Sequence, residues 1–327
     1  MSLLAQHDAL LLDLDGTIWE GGRAIPGAVD AILDADLPAM YVTNNASRAP
    51  GLVAEKLSEL GLPVGVNEVL TSAQAAVELA AEQLEPGDRV LVLGTPSFRE
   101  LAREAGFPVV DSARDEPRAV LHGHNPETGW AQLSEAALAL RAGAVYIASN
   151  LDSSLPSERG LLVGNGSMVA AVTNATGVVP VAAGKPGPRL FHSAAAKLGS
   201  TAPLAVGDRL DTDIEGGNAA DIPTFQVLTG VSGPHDLLRA PKHQRPTYVG
   251  ESMLELNLPA PALRPGAQGG FTARLDAGDL LLDLGRPEST PVQALRTALE
   301  VVWASEHPIK RIRPVGEYAQ AAVAAWW

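Results

Sequence analysis

Short apolar runs alternate along most of the chain with longer stretches in which Ala and Leu recur at helical spacing. That alternation marks an α/β fold built on a mainly parallel sheet. Apolar runs at 9–13, 39–43, 204–206, 224–228 and 247–249 predict strands, and amphipathic stretches at 27–35, 51–60, 188–198, 211–219 and 252–256 predict the helices between them. A second series lies inside the first, with strands at 89–93, 119–122 and 145–148 and helices at 97–105 and 131–141. It opens after the second strand of the outer series and closes before Gly184-Lys185-Pro186. The expected organisation is therefore a core domain, 1–70 with 183–258, interrupted by an inserted α/β domain at 71–182.

Past residue 256 the pattern changes. Pro259, Pro261, Pro265 and the glycines Gly266, Gly269 and Gly270 read as a linker, 259–270. Beyond it, apolar runs at 271–275 and 280–284 flank Asp276-Ala277-Gly278-Asp279, which predicts a hairpin, and Val292, Leu295, Leu299 and Val302 share one face of a helix. This extension, 271–327, is too short for a trustworthy core of its own and is expected to pack on the rest.

Composition narrows the chemistry. Hydrophobic residues make up 46% of the chain but aromatics only 4%, so Ala, Leu and Val must fill the cores. A net charge of −14 argues against binding nucleic acid or an anionic membrane, and it means that a phosphorylated ligand must meet locally placed cations. With no cysteine there is no disulfide and no thiolate chemistry. The N-terminus lacks a basic leader, and no stretch reaches about 18 uninterrupted apolar residues, so the expectation is a cytoplasmic protein that does not enter membranes.

Four segments carry candidate chemistry. Asp13-Leu14-Asp15-Gly16-Thr17 closes the first apolar run. Residues two apart in a strand point the same way, so Asp13 and Asp15 can face one site while Gly16 lets the backbone turn. Thr43-Asn44-Asn45 follows the second strand, offering a hydroxyl and turn amides to phosphoryl oxygens. Lys185 supplies a local cation just before a helix. Asp208 leaves the strand at 204–206 as Asp13 leaves the first, so the two can meet over one cation; Asp213 lies in the next turn, and Asp211 is expected to cap the following helix.

The order D-x-D-G-T, T-N-N, G-K-P, G-D-x-x-x-x-D resembles the haloacid dehalogenase superfamily. The position of the insert resembles its type IIA branch, that of NagD-like, 4-nitrophenylphosphate, phosphoglycolate and glycerol phosphate phosphatases. Ser149-Asn150-Leu151-Asp152, Gly164-Asn165-Gly166-Ser167-Met168 and Ala175-Thr176-Gly177 extend the likeness, which covers about residues 8–250. It implies a Rossmann-like core, an inserted α/β cap of the type IIA kind and Mg²⁺-dependent hydrolysis of a phosphomonoester through an aspartyl-phosphate.

By that resemblance Asp13 is the nucleophile and Asp15 the acid and base. Mg²⁺ is held by Asp13, Asp208 and the Asp15 carbonyl, with Asp213 behind them orienting the site, while Thr43, Asn44, Asn45 and Lys185 bind the phosphoryl group. Asn150, Asp152, Gly164 and Asn165 become candidates for cap specificity. Leu151 and Val163 stand where prolines are frequent, and Asn125 where aspartate is common. His122 and His124 are expected to be structural rather than substrate ligands. The substrate is expected to be a small metabolite, glycerol 3-phosphate first, with phosphoglycolate, sugar phosphates, nucleotides and pyridoxal phosphate as alternatives. A phosphotransferase, or a non-catalytic binding protein on the same scaffold, is the competing reading. Relatives of this branch often pair through their caps, so a homodimer is expected.

Overall fold

Four fully buried aliphatic residues, Ala9–Leu12, form the strand that leads into Asp13. The computed structural model describes residues 2–157 and 159–326, and the chain divides into two units, Met1–Ala39 with Leu198–Trp327, and Met40–Lys197.

In the first unit, Ala9–Leu12 pairs in parallel with Pro203–Gly207, which pairs with Thr224–Val227, which pairs with Tyr248–Gly250. Every residue of these strands is buried. A parallel sheet covered on both faces reads as continuous apolar runs rather than alternation, which is why these strands are visible in the sequence. The register sets Leu12 opposite Val206, and the Asp13 amide donates to the Val206 carbonyl at 2.9 Å. Asp13 and Asp208 therefore emerge from the same edge of the sheet.

The extension belongs to this unit. Residues 259–270, expected as a linker, instead contain the helix Ala260–Leu263, and the Gly266 amide donates to the Arg296 carbonyl. The hairpin pairs Phe271–Asp276 with Asp279–Leu284. Its two-residue turn has Ala277 at φ 51° and Gly278 at φ 91°, the left-handed pair that matches strand twist. A third strand, Ile312–Pro314, adds in parallel, and a last helix, Glu317–Ala324, follows. Neither was expected: the strand is three residues long with a proline, and half of the helix is alanine. Val292, Leu295, Leu299 and Val302 of the helix Pro291–Ala304 are buried in one apolar cluster with Leu210, Ile214, Leu237 and Val249 of the Asp13-bearing layer. The buried Arg296 side chain completes the join, donating to the Val249 carbonyl and to Glu255, each at 2.8 Å. Burial lowers the Arg296 pKa, opposed by the charge of Glu255.

In the second unit, Ala39–Thr43 pairs in parallel with Val69–Thr71. A separate five-stranded parallel sheet has the order Val181–Ala182, Val145–Ala148, Ala119–His122, Val90–Leu93, Val109–Val110. The helices Trp130–Arg141 and Asn165–Thr176 cover it through Ala136, Leu140, Val169 and Val172. The second of these helices is not legible in the sequence, because Gly, Ser, Thr and Ala fill most of it and leave little apolar periodicity. An antiparallel hairpin, Ser154–Ser157 with Gly160–Val163, leaves Leu161 and Val163 exposed.

His122 ends a buried strand and bonds the Tyr146 hydroxyl through Nδ1 at 2.8 Å. Burial drives its pKa from 6.5 down to about 4 and pushes that of Tyr146 up. The unfolded chain takes up this proton below 6.5, and the folded chain only below about 4. Its contribution to stability is therefore full above 6.5 and is lost as pH falls toward 4. Urea titrations across that window are expected to show a shallower pH slope in His122→Gln than in the parent, by at most ~1.4 kcal/mol per pH unit. For the extension, Leu295→Ala is expected to cost about 2–5 kcal/mol in the same assay.

Candidate active site

The two sheet-end loops of the first unit bring acids together. One carboxylate oxygen from each of Asp13, Asp208 and Asp213 lies within 4.8 Å of the others, and Asp208 and Asp213 are almost wholly buried. The chain makes room for this crowding with missing side chains. A Cβ on Gly16, which sits at φ +84°, would lie 2.5 Å from Asp208 Oδ2, and one on Gly230 would lie 2.0 Å from it. The Val231 amide donates to Asp208 Oδ2 at 2.6 Å, and the buried Gln226 side chain donates to the Asp208 carbonyl at 2.6 Å.

Asp213 reaches the cluster because the helix expected over 211–219 starts as a wider π turn, Leu210–Ile214, before continuing as Glu215–Ala219. Its Oδ2 accepts the Arg209 amide at 3.0 Å. The capping role expected of Asp211 is not seen, since among the described residues no side chain caps this turn. Asp211 receives both arms of the Arg209 guanidinium, at 3.0 and 2.8 Å. Asp15 stands apart from the cluster: its exposed carboxylate accepts the indole N–H of buried Trp19 at 2.8 Å. Sequence reasoning misses Trp19. Its only signal is an aromatic ring four residues after Asp15, on the far side of the Gly16 turn.

Three crowded carboxylates form a donor set of hard oxygens, the chemistry that suits Mg²⁺ or Ca²⁺. A divalent cation placed between them relieves their mutual repulsion.

In the second unit, Thr43-Asn44-Asn45 and Lys185 share one hydrogen-bond network. Asn44 Oδ1 accepts the Lys185 amide at 2.8 Å, and its Nδ2 donates to the Lys185 carbonyl at 2.9 Å and to Asp152 at 3.0 Å. Lys185, 3% exposed, donates from Nζ to the Val42 carbonyl at 3.2 Å. Thr43 Oγ1 accepts the Asn45 amide, and the Asn45 side chain is spent on Ser47. The side chains of Asn44 and Asn45, together with the Asn45 amide, are thus used in shaping the loop.

The cap candidates form a second knot. Asn150 donates to Asp152 at 2.6 Å, Asn165 donates to the carbonyls of Asn150 and His122, and a Cβ on Gly164 would lie 2.3 Å from the Asp152 carbonyl. Asn150 and Asn165 are buried. Asn125 donates to the Gly94 carbonyl and accepts the Glu127 amide.

Comparison with known proteins agrees with this geometry. Residues 10–108 match the haloacid dehalogenase-like hydrolase family, and residues 182–256 match a second HAD-hydrolase-like family. The chain is 43% identical to the D-glycerol 3-phosphate phosphatase of Mycobacterium tuberculosis, over 99% of this chain and 95% of that protein. It is 36% identical to an acid sugar phosphatase of Staphylococcus saprophyticus, over 77% of this chain and 98% of that one. Among solved structures, the M. tuberculosis glycerol phosphate phosphatase in complex with magnesium superposes with a TM-score of 0.95 at 42% identity, covering 100% of this chain and 98% of that one. An NPPase double mutant from Geobacillus stearothermophilus superposes at 0.70 with 31% identity, over 77% and 98% respectively. The mycobacterial match thus runs through the C-terminal extension as well, and the chain belongs to the haloacid dehalogenase-like hydrolase family.

Proposed function

We propose that this protein is a Mg²⁺-dependent phosphomonoester hydrolase acting on a small phosphorylated metabolite, glycerol 3-phosphate foremost. The observation that carries the reading is the cluster of Asp13 with the buried Asp208 and Asp213 at the end of a parallel sheet, beside a D-x-D-G-T loop. The likeness to a D-glycerol 3-phosphate phosphatase over nearly the whole chain supports the substrate.

In this reading Asp13 attacks phosphorus in line. The carboxylate–phosphorus bond forms as the bond to the ester oxygen breaks, and Asp15 gives its proton to the departing alkoxide. Asp15 then takes a proton from the water that attacks the aspartyl-phosphate, releasing inorganic phosphate and restoring Asp13. Mg²⁺ would be held by the carboxylates of Asp13 and Asp208 and by the Asp15 carbonyl, with Asp213 orienting them from behind, and would supply positive charge against the phosphoryl oxygens. The Thr43 hydroxyl, the amide of Asn44 and the Lys185 ammonium bind those same oxygens, with Asn45 bracing the loop. Trp19 holds one oxygen of Asp15, so that the other faces the leaving group.

The insert, 71–182, acts as the cap that selects the substrate, with Asn150, Asp152, Gly164 and Asn165 setting the shape of its hinge. We place the enzyme in the cytoplasm as a homodimer; among the described residues no helix is long and apolar enough to cross a membrane.

Turnover of glycerol 3-phosphate with Mg²⁺ is expected to release stoichiometric phosphate without an acceptor, and Asp13→Asn is expected to lower kcat by roughly 10⁴ or more. Equal rates in variant and parent would remove the assignment. Against a panel of sugar phosphates, kcat/KM for glycerol 3-phosphate should stand at least about ten-fold higher. Trp19→Phe is expected to lower kcat about ten-fold with KM little changed and to shift the acid and base limbs of the kcat profile. An unshifted profile would assign Trp19 a packing role alone.

A further inference from the structure

The first unit holds a second concave feature, well separated in sequence from the motif loops. It is a cavity of ≈250 Å³ whose lining includes Arg239, Lys310, Arg311 and His235, with Leu238 and Val323 among its apolar walls. Among the described residues no carboxylate lines it, in a chain whose net charge is −14. Several arginines elsewhere are matched: Arg99, Arg189, Arg209, Arg296 and Arg313 each meet an acid within 4.0 Å. Among the described residues, the guanidinium groups of Arg239 and Arg311 make no ion pair or hydrogen bond. Lys310 donates to the Ala277 carbonyl at 2.9 Å, which leaves it further donors. The nearby Asp236 is turned to the start of its own helix, where it accepts the Gly233 amide at 2.9 Å.

Unmatched cations around one small concavity repel one another, and an anion between them removes that repulsion. Planar guanidinium forks favour a tetrahedral oxyanion that can take two donors at once. The volume admits a phosphate group with a few carbons. We propose that this cavity binds a phosphate-bearing anion, inorganic phosphate or a small phosphate monoester, and that its occupancy damps turnover.

The route to turnover is short. The helix Pro234–Arg239, which carries His235 and Arg239, continues directly from the loop that holds Asp208. In that loop the Val231 amide donates to the Asp208 carboxylate at 2.6 Å and the Ser232 amide to the Asp208 carbonyl at 3.2 Å, while the Thr229 hydroxyl donates to the Gly16 carbonyl at 2.7 Å. A shift of the helix on anion binding therefore moves a residue of the carboxylate cluster. This regulatory half rests on the phosphatase reading; the binding half does not.

The test titrates inorganic phosphate calorimetrically into the full chain, into Lys185→Met, and into Arg239→Ala/Arg311→Ala, all without divalent metal. The proposal expects a binding event that persists in Lys185→Met and weakens about ten-fold or more in the double arginine variant. Partial recovery is expected in Arg239→Lys/Arg311→Lys, and unchanged thermal midpoints would show that the variants fold. Glycerol 3-phosphate binding more tightly than phosphate would identify an ester as the occupant, and equal binding would identify free phosphate; glycerol alone should not bind. In turnover assays, phosphate inhibition should contain a part that excess substrate does not overcome and that the double variant lacks. Absence of binding in Lys185→Met, insensitivity to the arginine changes, or purely competitive inhibition overturns the proposal. Retained phosphate binding with no turnover in any form would count against the phosphatase reading instead.

Discussion

Three carboxylates held within 4.8 Å repel one another, and two of them are shut away from water. At the effective dielectric of a protein interior each such pair costs on the order of 3 kcal/mol. That is a large share of the roughly 5–15 kcal/mol by which folded domains are stable. A chain under no chemical demand would separate these groups. This one does the reverse, removing the Cβ atoms at Gly16 and Gly230 that would push Asp208 away and aiming the Val231 amide at its oxygen. The cluster makes physical sense with a divalent cation inside it.

Holding that arrangement falls to the sheet and to what covers it. The register between Ala9–Leu12 and Pro203–Gly207 places Asp13 and Asp208 at one edge. The loop after Thr224–Val227 closes on Asp208, with Gln226 buried beneath it. The last strand of the row, Tyr248–Gly250, is tied through the Val249 carbonyl to Arg296 in the extension, and both share the apolar cluster that runs to Trp326. Stability of the extension and rigidity of the carboxylate cluster are thereby linked through one core.

Much of this is legible in the sequence because it is local. Continuous apolar runs mark the buried parallel strands, the Asp276-Ala277-Gly278-Asp279 turn marks the hairpin, and the four motifs mark the chemistry by residue type and order. What escapes depends on contacts that local pattern does not encode. The side chain of Asn44 is committed to Lys185, 141 residues away, and so shapes a loop as well as offering an amide. Asp213 joins the carboxylate cluster through a π turn that no propensity distinguishes from the expected α-helix. Trp19 meets Asp15 only after the chain has turned at Gly16. Ile312–Pro314 exists because Asp279–Leu284 offers it an edge, not because three residues with a proline favour extension by themselves.

The account stands or falls on the carboxylates sharing one ion. Titration of the full chain with Mn²⁺ as a paramagnetic substitute for Mg²⁺, compared with Asp208→Asn and Asp213→Asn, tests it most directly. One ion bound per chain, with affinity falling about ten- to a hundred-fold in each variant, is the expected result. Undiminished binding in both variants would contradict it.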